Sequence, residues 1–199
     1  MKILAFSDLH RDEAVANTIV QLSDQADVIV GAGDFATMGL GITDTITVLR
    51  RITTQVVLVS GNHESLDALR TACAGWSAAH VLHGETITIG GIAFFGLGFE
   101  ISTVARGPWN SQMSEAKAAM ALSKCPANAV LVTHAPPFGI ADQQADGTHD
   151  GSHAIRTAIE QLQPKLTLCG HIHHSWGRSG FIGTCPVHNL GPKPQWFNV

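Results

Sequence analysis

Short apolar runs alternate with amphipathic segments along most of the chain. Apolar runs bounded by polar residues predict buried strands, and apolar residues at i, i+4 and i+7 predict helices that bury one face. The predicted strands span residues 3–6, 28–30, 56–59, 129–133 and 166–169. The predicted helices span residues 15–22, 42–49, 66–73, 114–122 and 155–162. This alternation implies sheets that are covered by helices.

Two stretches depart from the alternation and predict antiparallel pairing. Residues 86–89 and 92–95 flank Gly90-Gly91, which is the pattern of a hairpin with a tight turn. Residues 181–190 predict two more short strands near the end of the chain. We therefore expect an α/β fold in which two sheets face each other with helices outside. The length of 199 residues fits a single domain, which we place at residues 1–199.

Polar residues suited to metal binding or proton transfer follow directly after the predicted strands. Because the carboxyl ends of strands in open α/β sheets line one crevice, these side chains are expected to meet. They are Asp8, His10, Asp34, Asn62, His63, His134, His171 and His173. A turn or a helix terminus explains any one motif alone, including Glu64 as an acid in the first turn of a helix. Their joint placement favours one shared site.

The chemistry of this set favours divalent metal ions. Carboxylate, amide and imidazole donors suit Mn²⁺, Fe²⁺, Zn²⁺ or Ni²⁺. The set is too large for one tetrahedral ion and suits two ions about 3.5–4 Å apart that share one carboxylate. The chain carries 11 histidines and a formal net charge of −4. Two bound ions would nevertheless create a positive pocket that attracts phosphate.

These motifs, in this order, resemble those of the calcineurin-like metallophosphoesterase family, and its small phosphodiesterase-type branch in particular. They stand here as Asp8-Leu9-His10, Gly33-Asp34, Gly61-Asn62-His63-Glu64, Thr133-His134 and Gly170-His171-Ile172-His173. The resemblance spans most of the chain. It implies a four-layer α/β/β/α sandwich with a dinuclear metal centre.

The resemblance also implies a role for each motif residue. The first ion would be held by Asp8, His10, Asp34 and His173. The second ion would be held by Asp34, Asn62, His134 and His171, so that Asp34 bridges the two. A hydroxide bridging the ions would attack phosphorus. His63 would act near the leaving oxygen as proton donor or charge stabiliser, and Asn62 would also touch a phosphate oxygen.

One departure from the family pattern bears on the substrate. Protein Ser/Thr phosphatases of the family carry an Arg soon after the Gly-Asp motif, whereas residues 35–39 here read Phe-Ala-Thr-Met-Gly. A phosphodiesterase acting on a small phosphodiester or nucleotide is therefore expected ahead of a phosphomonoesterase or protein phosphatase. A catalytically silent metal-binding scaffold of the same fold stays open as an alternative, although no ligand position is eroded. A nuclease would need a basic track, which the net charge of −4 disfavours.

Residues outside the motifs give weaker predictions about the substrate. Arg106 and Trp109, in the loop over residues 96–110, would bind a phosphate and stack on a base, or simply pack on each other. His149 and His153 flank the loop over residues 135–151 and are expected to be ordinary surface or core histidines, with contact to the substrate as the less favoured alternative.

Composition gives expectations about location and partners. The longest apolar runs are too short to span a bilayer, and the N-terminus lacks the pattern of a secretory signal, so a cytoplasmic protein with no membrane partner is expected. The four cysteines lie far apart and are expected to be reduced and buried. The expected partner is a small phosphorylated substrate rather than a nucleic acid. The low charged fraction of 14% favours an apolar contact surface and a homodimer.

Overall fold

The computed structural model describes residues 1–104 and 106–199, which form a mixed α/β fold. The strands are β1 Lys2–Phe6, β2 Val28–Gly31, β3 Gln55–Leu58, β4 Ala79–Val81, β5 Glu85–Ile89, β6 Ile92–Leu97, β7 Glu100–Ile101, β8 Gln112–Met113, β9 Val130–Thr133, β10 Leu166–Cys169, β11 Ser179–Ile182, β12 Cys185–Asn189 and β13 Gln195–Asn198. The α-helices are α1 Glu13–Leu22, α2 Ile42–Leu49, α3 Leu66–Cys73, α4 Glu115–Leu122 and α5 His153–Leu162.

The strands form two large sheets and one small ladder. The first sheet has the order β13-β1-β2-β3-β4, and the second has the order β11-β12-β10-β9-β6-β5. The first sheet is parallel except for the edge strand β13, which pairs with β1 in the antiparallel sense. The second sheet is parallel in the centre, and both of its edge strands are antiparallel, since β5 pairs with β6 and β11 with β12. The third sheet is the parallel pair β7-β8.

Side chains alternate across each sheet and so supply two faces for packing. On the first sheet Leu4 and Ile29 belong to a core shared with α1, α2 and α3, whereas Ile3 and Val28 belong to a second core. That second core also contains residues of β6, β9 and β10, so it lies between the sheets. A third core joins the other face of the second sheet to α4 and α5. The α/β class with sheets flanked by helices is thus confirmed.

Most local predictions are confirmed with shifts of one or two residues at element ends. The predicted hairpin is β5-β6, and Gly90 and Gly91 have φ of 54° and 81°, as a tight turn requires. All four cysteines are free and buried. Strands β4, β7, β8 and β13 were not predicted. In the described part of the chain, no helix has both the length and the apolar character needed to cross a membrane.

Candidate metal centre

All eight predicted site residues lie at or just beyond the carboxyl ends of central strands. Asp8 and His10 follow β1, Asp34 follows β2, and Asn62 and His63 follow β3 of the first sheet. The second sheet contributes one residue after β9 and two after β10, namely His134, His171 and His173. The loops after these strands face one another across the two sheets, so the predicted meeting of the side chains is observed.

The backbone at these loops turns sharply in an unusual conformation. Asp8, His10, Asp34 and His171 have positive φ angles of 54°, 45°, 58° and 70°. This left-handed region costs non-glycine residues roughly 1–2 kcal/mol each, although Asp and His enter it more readily than most. The backbone strain thus falls on residues of the candidate metal centre, as is common at functional sites.

The glycines of the motifs are required by close packing. A Cβ atom on Gly61 would collide with the carboxylate and backbone nitrogen of Asp34. A Cβ atom on Gly33, whose φ is 94°, would lie 2.5 Å from Nδ1 of His134. Only glycine therefore lets the three loops approach closely enough for their donors to meet.

Asp34 lies between two groups of side chains. Its Oδ2 is 3.6 Å from Nε2 of His10, and its Oδ1 is 3.5 Å from Nε2 of His134. The first group, here called the open half, comprises Asp8, His10 and His173. The second, here called the buried half, comprises Asn62, His134 and His171. One carboxylate thus presents a different oxygen to each half.

The buried half is closely packed. Oδ1 of Asn62 is 3.0 Å from Nε2 of His134 and 3.1 Å from Nδ1 of His171. His134 is fully buried, and its other ring nitrogen lies 2.8 Å from the carbonyl oxygen of Ala32. A neutral His134 that donates to this carbonyl leaves Nε2 free as a donor to a metal ion, which is the usual arrangement around ligand histidines.

The open half is more accessible to solvent. Nε2 of His10 lies 3.1 Å from Nε2 of His173, and Nε2 of His173 lies 3.8 Å from Oδ1 of Asp8. The His173 side chain is 52% exposed and that of His10 is 21% exposed. The carboxylate of Asp8, in contrast, is buried and accepts hydrogen bonds from the Ser7 hydroxyl and the Trp176 indole N–H.

Donor atoms in these groups approach one another closely enough to share an ion. In three sets of three residues, one atom per residue lies within 4.8 Å of the others. The sets are Asp8, His10 and His173; His10, Asp34 and His63; and Asp8, Asp34 and His134. Borderline divalent ions bind this mixture of carboxylate and imidazole donors. The residues present therefore fit a centre of two divalent ions.

Electrostatics also favour a cation in this centre. Burial opposes ionisation of Asp34, but the adjacent His134 outweighs it and holds the pKa of the carboxyl below its usual range. Burial acts against the charged form of His134 as well, yet Asp34 and Asp8 raise the pKa of His134 to about 10. Without metal, a proton on His134 neutralises the buried carboxylates. A bound divalent ion would supply that positive charge instead, and the proton would be released.

Glu64 joins two loops of the site instead of lying in the first turn of a helix. Helix α3 begins at Leu66 with Ser65 as its N-cap, so Glu64 precedes the first turn. Its buried carboxylate accepts backbone N–H groups from Asp34, Ala36 and Gly61 at 2.9, 3.0 and 2.6 Å. Glu64 thereby joins the loops after β2 and β3. Burial, followed by the nearby Asp34 charge, raises the pKa of Glu64 to about 7.

His63 is held differently from the other histidines. The backbone N–H of Met38 donates to Nδ1 of His63 at 2.9 Å, so a neutral ring carries its proton on Nε2. Its ring also contacts Trp109 and His10, with centroid distances of 4.6 and 4.7 Å. Burial lowers the pKa of His63, which agrees with a neutral imidazole that donates through Nε2.

An open cavity of about 310 Å³ lies over the centre. Its lining includes His63, Arg106 and Trp109 together with Asp34, Asn62, Gln144, His171, Ile172 and His173. The structure thus brings Arg106 and Trp109 to the site. His149 pairs with Asp142 and His153 stacks on Phe138, and neither lines this cavity.

Several residues that support the centre lay outside the sequence motifs. Trp176 donates to Asp8, as described above. Asn189 is buried, and its amide donates to the carbonyl oxygens of Gly170 and Ile172 on either side of His171. The motifs did not identify Asn189, because a single Asn after a strand carries no signal of its partners.

The fold and the donor set together suit a metal-binding phosphoesterase domain. The family model of the calcineurin-like phosphoesterase superfamily domain matches residues 1–191. The chain therefore belongs to the calcineurin-like phosphoesterase superfamily, as the motifs indicated.

Individual relatives are distant. A UPF0046 protein of Caenorhabditis elegans is 27% identical over 199 residues, which cover 89% of this chain and 65% of that protein. The chain thus spans slightly less than two thirds of this relative's length.

Solved structures share the fold at lower identity. The protein TT1561 of Thermus thermophilus has a TM-score of 0.74 at 17% identity, covering 99% of this chain and 98% of its own. Phosphopantetheinyl hydrolase of Mycobacterium tuberculosis has a TM-score of 0.63 at 18% identity, covering 96% of this chain and 90% of its own. These similarities show a shared architecture.

Proposed function

We propose that the chain is a dinuclear metal-dependent phosphodiesterase that hydrolyses a small phosphodiester or nucleotide. The observation that carries this proposal is the position of Asp34, whose two oxygens face His10 and His134 on opposite sides. A carboxylate placed in this way suits a bridge between two cations. A site for a single ion would not need metal-binding side chains on both sides of the Asp34 carboxylate.

Seven residues would hold the two ions. The proposed ligands of the first ion are Asp8, His10, Asp34 and His173, and those of the second are Asp34, Asn62, His134 and His171. When bound, such ions activate water as a nucleophile and stabilise negative charge on phosphoryl oxygens. Availability in the cell decides among Mn²⁺, Fe²⁺, Zn²⁺ and Ni²⁺ as much as affinity does.

His63 would act on the leaving group. Since Met38 occupies Nδ1, the neutral ring offers its Nε2–H to the cavity side. Donation from that position would stabilise charge on the departing oxygen or supply its proton. Asn62 lines the same cavity and would also contact a phosphate oxygen.

Arg106 and Trp109 would bind the rest of the substrate. The Arg106 guanidinium lies at the cavity wall, where it suits a phosphate oxygen. Trp109, packed against the His63 ring, presents an apolar surface to the organic group of a diester. A cavity of about 310 Å³ suits a small molecule rather than a protein chain.

A substrate panel with metal analysis tests this function. The purified chain, supplied with Mn²⁺, should hydrolyse bis(p-nitrophenyl) phosphate and prefer diesters to monoesters. The His63→Ala variant should keep its metal but lose about 10²- to 10⁴-fold in turnover. His153→Ala removes a histidine outside the cavity and should retain full activity. Full activity of His63→Ala would remove His63 from the mechanism.

Two outcomes separate the alternatives. Two bound ions without turnover on any ester would indicate a catalytically silent scaffold. Preference for p-nitrophenyl phosphate or phosphopeptides would indicate a phosphomonoesterase or protein phosphatase. A cytoplasmic location, a homodimer and the absence of nucleic-acid binding stay predictions from composition.

A further inference from the structure

The Asn62 side chain is connected to a chain of hydrogen bonds that leads away from the centre. Its Nδ2 donates to Oδ1 of Asn110 at 2.7 Å. Nδ2 of Asn110 donates to Oε2 of Glu100 at 2.8 Å and to Oε1 of Gln112 at 2.9 Å. The other Glu100 oxygen accepts from Nε of Arg106 at 2.8 Å. Asn110, Glu100, Gln112 and Arg106 all lie outside the family motifs described above.

The short β7-β8 ladder places this network against the centre. Glu100 and Gln112 are register partners in the ladder, and the backbone N–H of Ser111 donates to the carbonyl oxygen of Asn62 at 2.9 Å. Glu100 is only 3% exposed. A buried carboxylate in this position acts only as an acceptor while it is paired with Arg106.

The carboxylate fixes the orientation of two amides in turn. Because Glu100 only accepts, Asn110 must turn its NH₂ group toward Glu100 and its oxygen toward Asn62. Asn62 must then turn its own NH₂ group toward Asn110. The Asn62 oxygen is therefore left facing His134 and His171, at 3.0 and 3.1 Å from their ring nitrogens. A reversed Asn62 amide would present a donor to the cation, which it could not bind.

We propose that Asn110 and Glu100 are positioning residues that orient the Asn62 amide as a metal ligand. Glu100 also holds Arg106 at the cavity wall, so one buried acid connects the metal centre with the residue proposed to bind phosphate. The inference rests on the proposed dinuclear centre. It assigns a task to the loop between β6 and α4 that the motifs leave without one.

Three variants separate orientation from simple structural support. Asn110→Leu removes the hydrogen bond to Asn62. The double variant Glu100→Gln with Asn110→Asp conserves the net charge. It also keeps an acceptor facing Asn62, since the amide introduced at position 100 donates to the carboxylate introduced at position 110, which accepts from the Asn62 amide. Gln112→Leu is the matched control, because it removes a partner of Asn110 outside the link from Glu100 to Asn62.

Calorimetric titration of chelator-treated protein with Mn²⁺ provides a readout that is independent of turnover. Wild type should bind two ions. Asn110→Leu should bind one of them about 10- to 100-fold more weakly, as is usual when a residue supporting a ligand is lost. The double variant and Gln112→Leu should bind both ions as wild type does. Circular dichroism and thermal unfolding identify a variant that fails to fold.

The inference and the proposed function fail in different ways. If wild type binds two ions and Asn110→Leu binds both equally well, orientation by Asn110 is wrong while the dinuclear centre stands. If the double variant folds but binds as poorly as Asn110→Leu, the polarity argument is wrong. Wild type that binds fewer than two ions would overturn the proposed function and this inference with it.

Discussion

The buried half and the open half of the candidate centre use similar donors in different surroundings. His134 has no solvent exposure and is fixed through both ring nitrogens, whereas the His173 side chain is 52% exposed. Burial and the nearby His134 charge lower the pKa of His171 to about 3, so that ring stays neutral over the physiological range. The buried half is therefore preorganised, whereas His10 and His173 of the open half are accessible to solvent.

This difference has a consequence for the two ions. A preorganised set of ligands loses little conformational entropy on binding, while exposed side chains must be ordered by the ion itself. We expect the ion of the buried half to bind more tightly and exchange more slowly. Asp34 is the proposed shared ligand, so binding of both ions would depend on it.

The largest effect is expected from Asp34→Asn. Loss of the shared carboxylate should abolish binding of both ions and lower turnover by more than the roughly 100-fold typical of supporting residues. Metal content measured by mass spectrometry, together with hydrolysis of bis(p-nitrophenyl) phosphate, checks this. A variant that retains two ions would show that the halves do not share Asp34.

A smaller effect is expected on the free energy of unfolding of metal-free protein, which should differ between His134→Ala and His173→Ala. His134→Ala leaves a buried carboxylate without its partner, which typically lowers the free energy of unfolding by about 3–5 kcal/mol. His173→Ala truncates an exposed side chain and should change the free energy of unfolding by no more than about 0.5 kcal/mol. Urea unfolding after chelation measures both, with His153→Ala as control. Equal losses would contradict the contrast between the halves.

The smallest effect concerns histidines outside the centre, which contribute background to any acid titration. Burial lowers the pKa of His188, so its unfolded form binds a proton at a higher pH than its folded form. The free energy of unfolding should therefore fall as the pH drops below about 6.5, the usual value for histidine. His188→Gln should flatten the curve measured by urea unfolding of metal-free protein between pH 7.5 and 5.5. An unchanged slope would exclude His188 as a source of acid sensitivity.

The sequence predicted the core strands and the meeting of the site residues, because both follow from local patterns. Apolar runs such as residues 3–6 are buried on either side of a sheet, and the polar residues after them share one edge. Gly90-Gly91 specified a turn whose backbone only glycine adopts easily. In these places the information lies within a few residues.

The sequence patterns did not predict contacts between residues that lie far apart in the chain. Strand β13 has no apolar run of its own and exists because Gln195 to Asn198 pair with β1, far away in the chain. The role of Glu64 could not be predicted, because its three backbone partners lie on loops that only the folded chain brings together. The links from Glu100 to Asn110 and from Trp176 to Asp8 depend in the same way on tertiary contacts.

The backbone is in the left-handed region at four residues of the candidate centre, Asp8, His10, Asp34 and His171. This conformation links metal binding to the resistance of the protein to degradation in a cell. Each bend is unfavourable by itself and would be compensated most fully if cations held the side chains together. Metal starvation would then expose the rim of the molecule to local opening and to proteases. If the proposed ions are bound, the abundance of this protein should rise and fall with their supply.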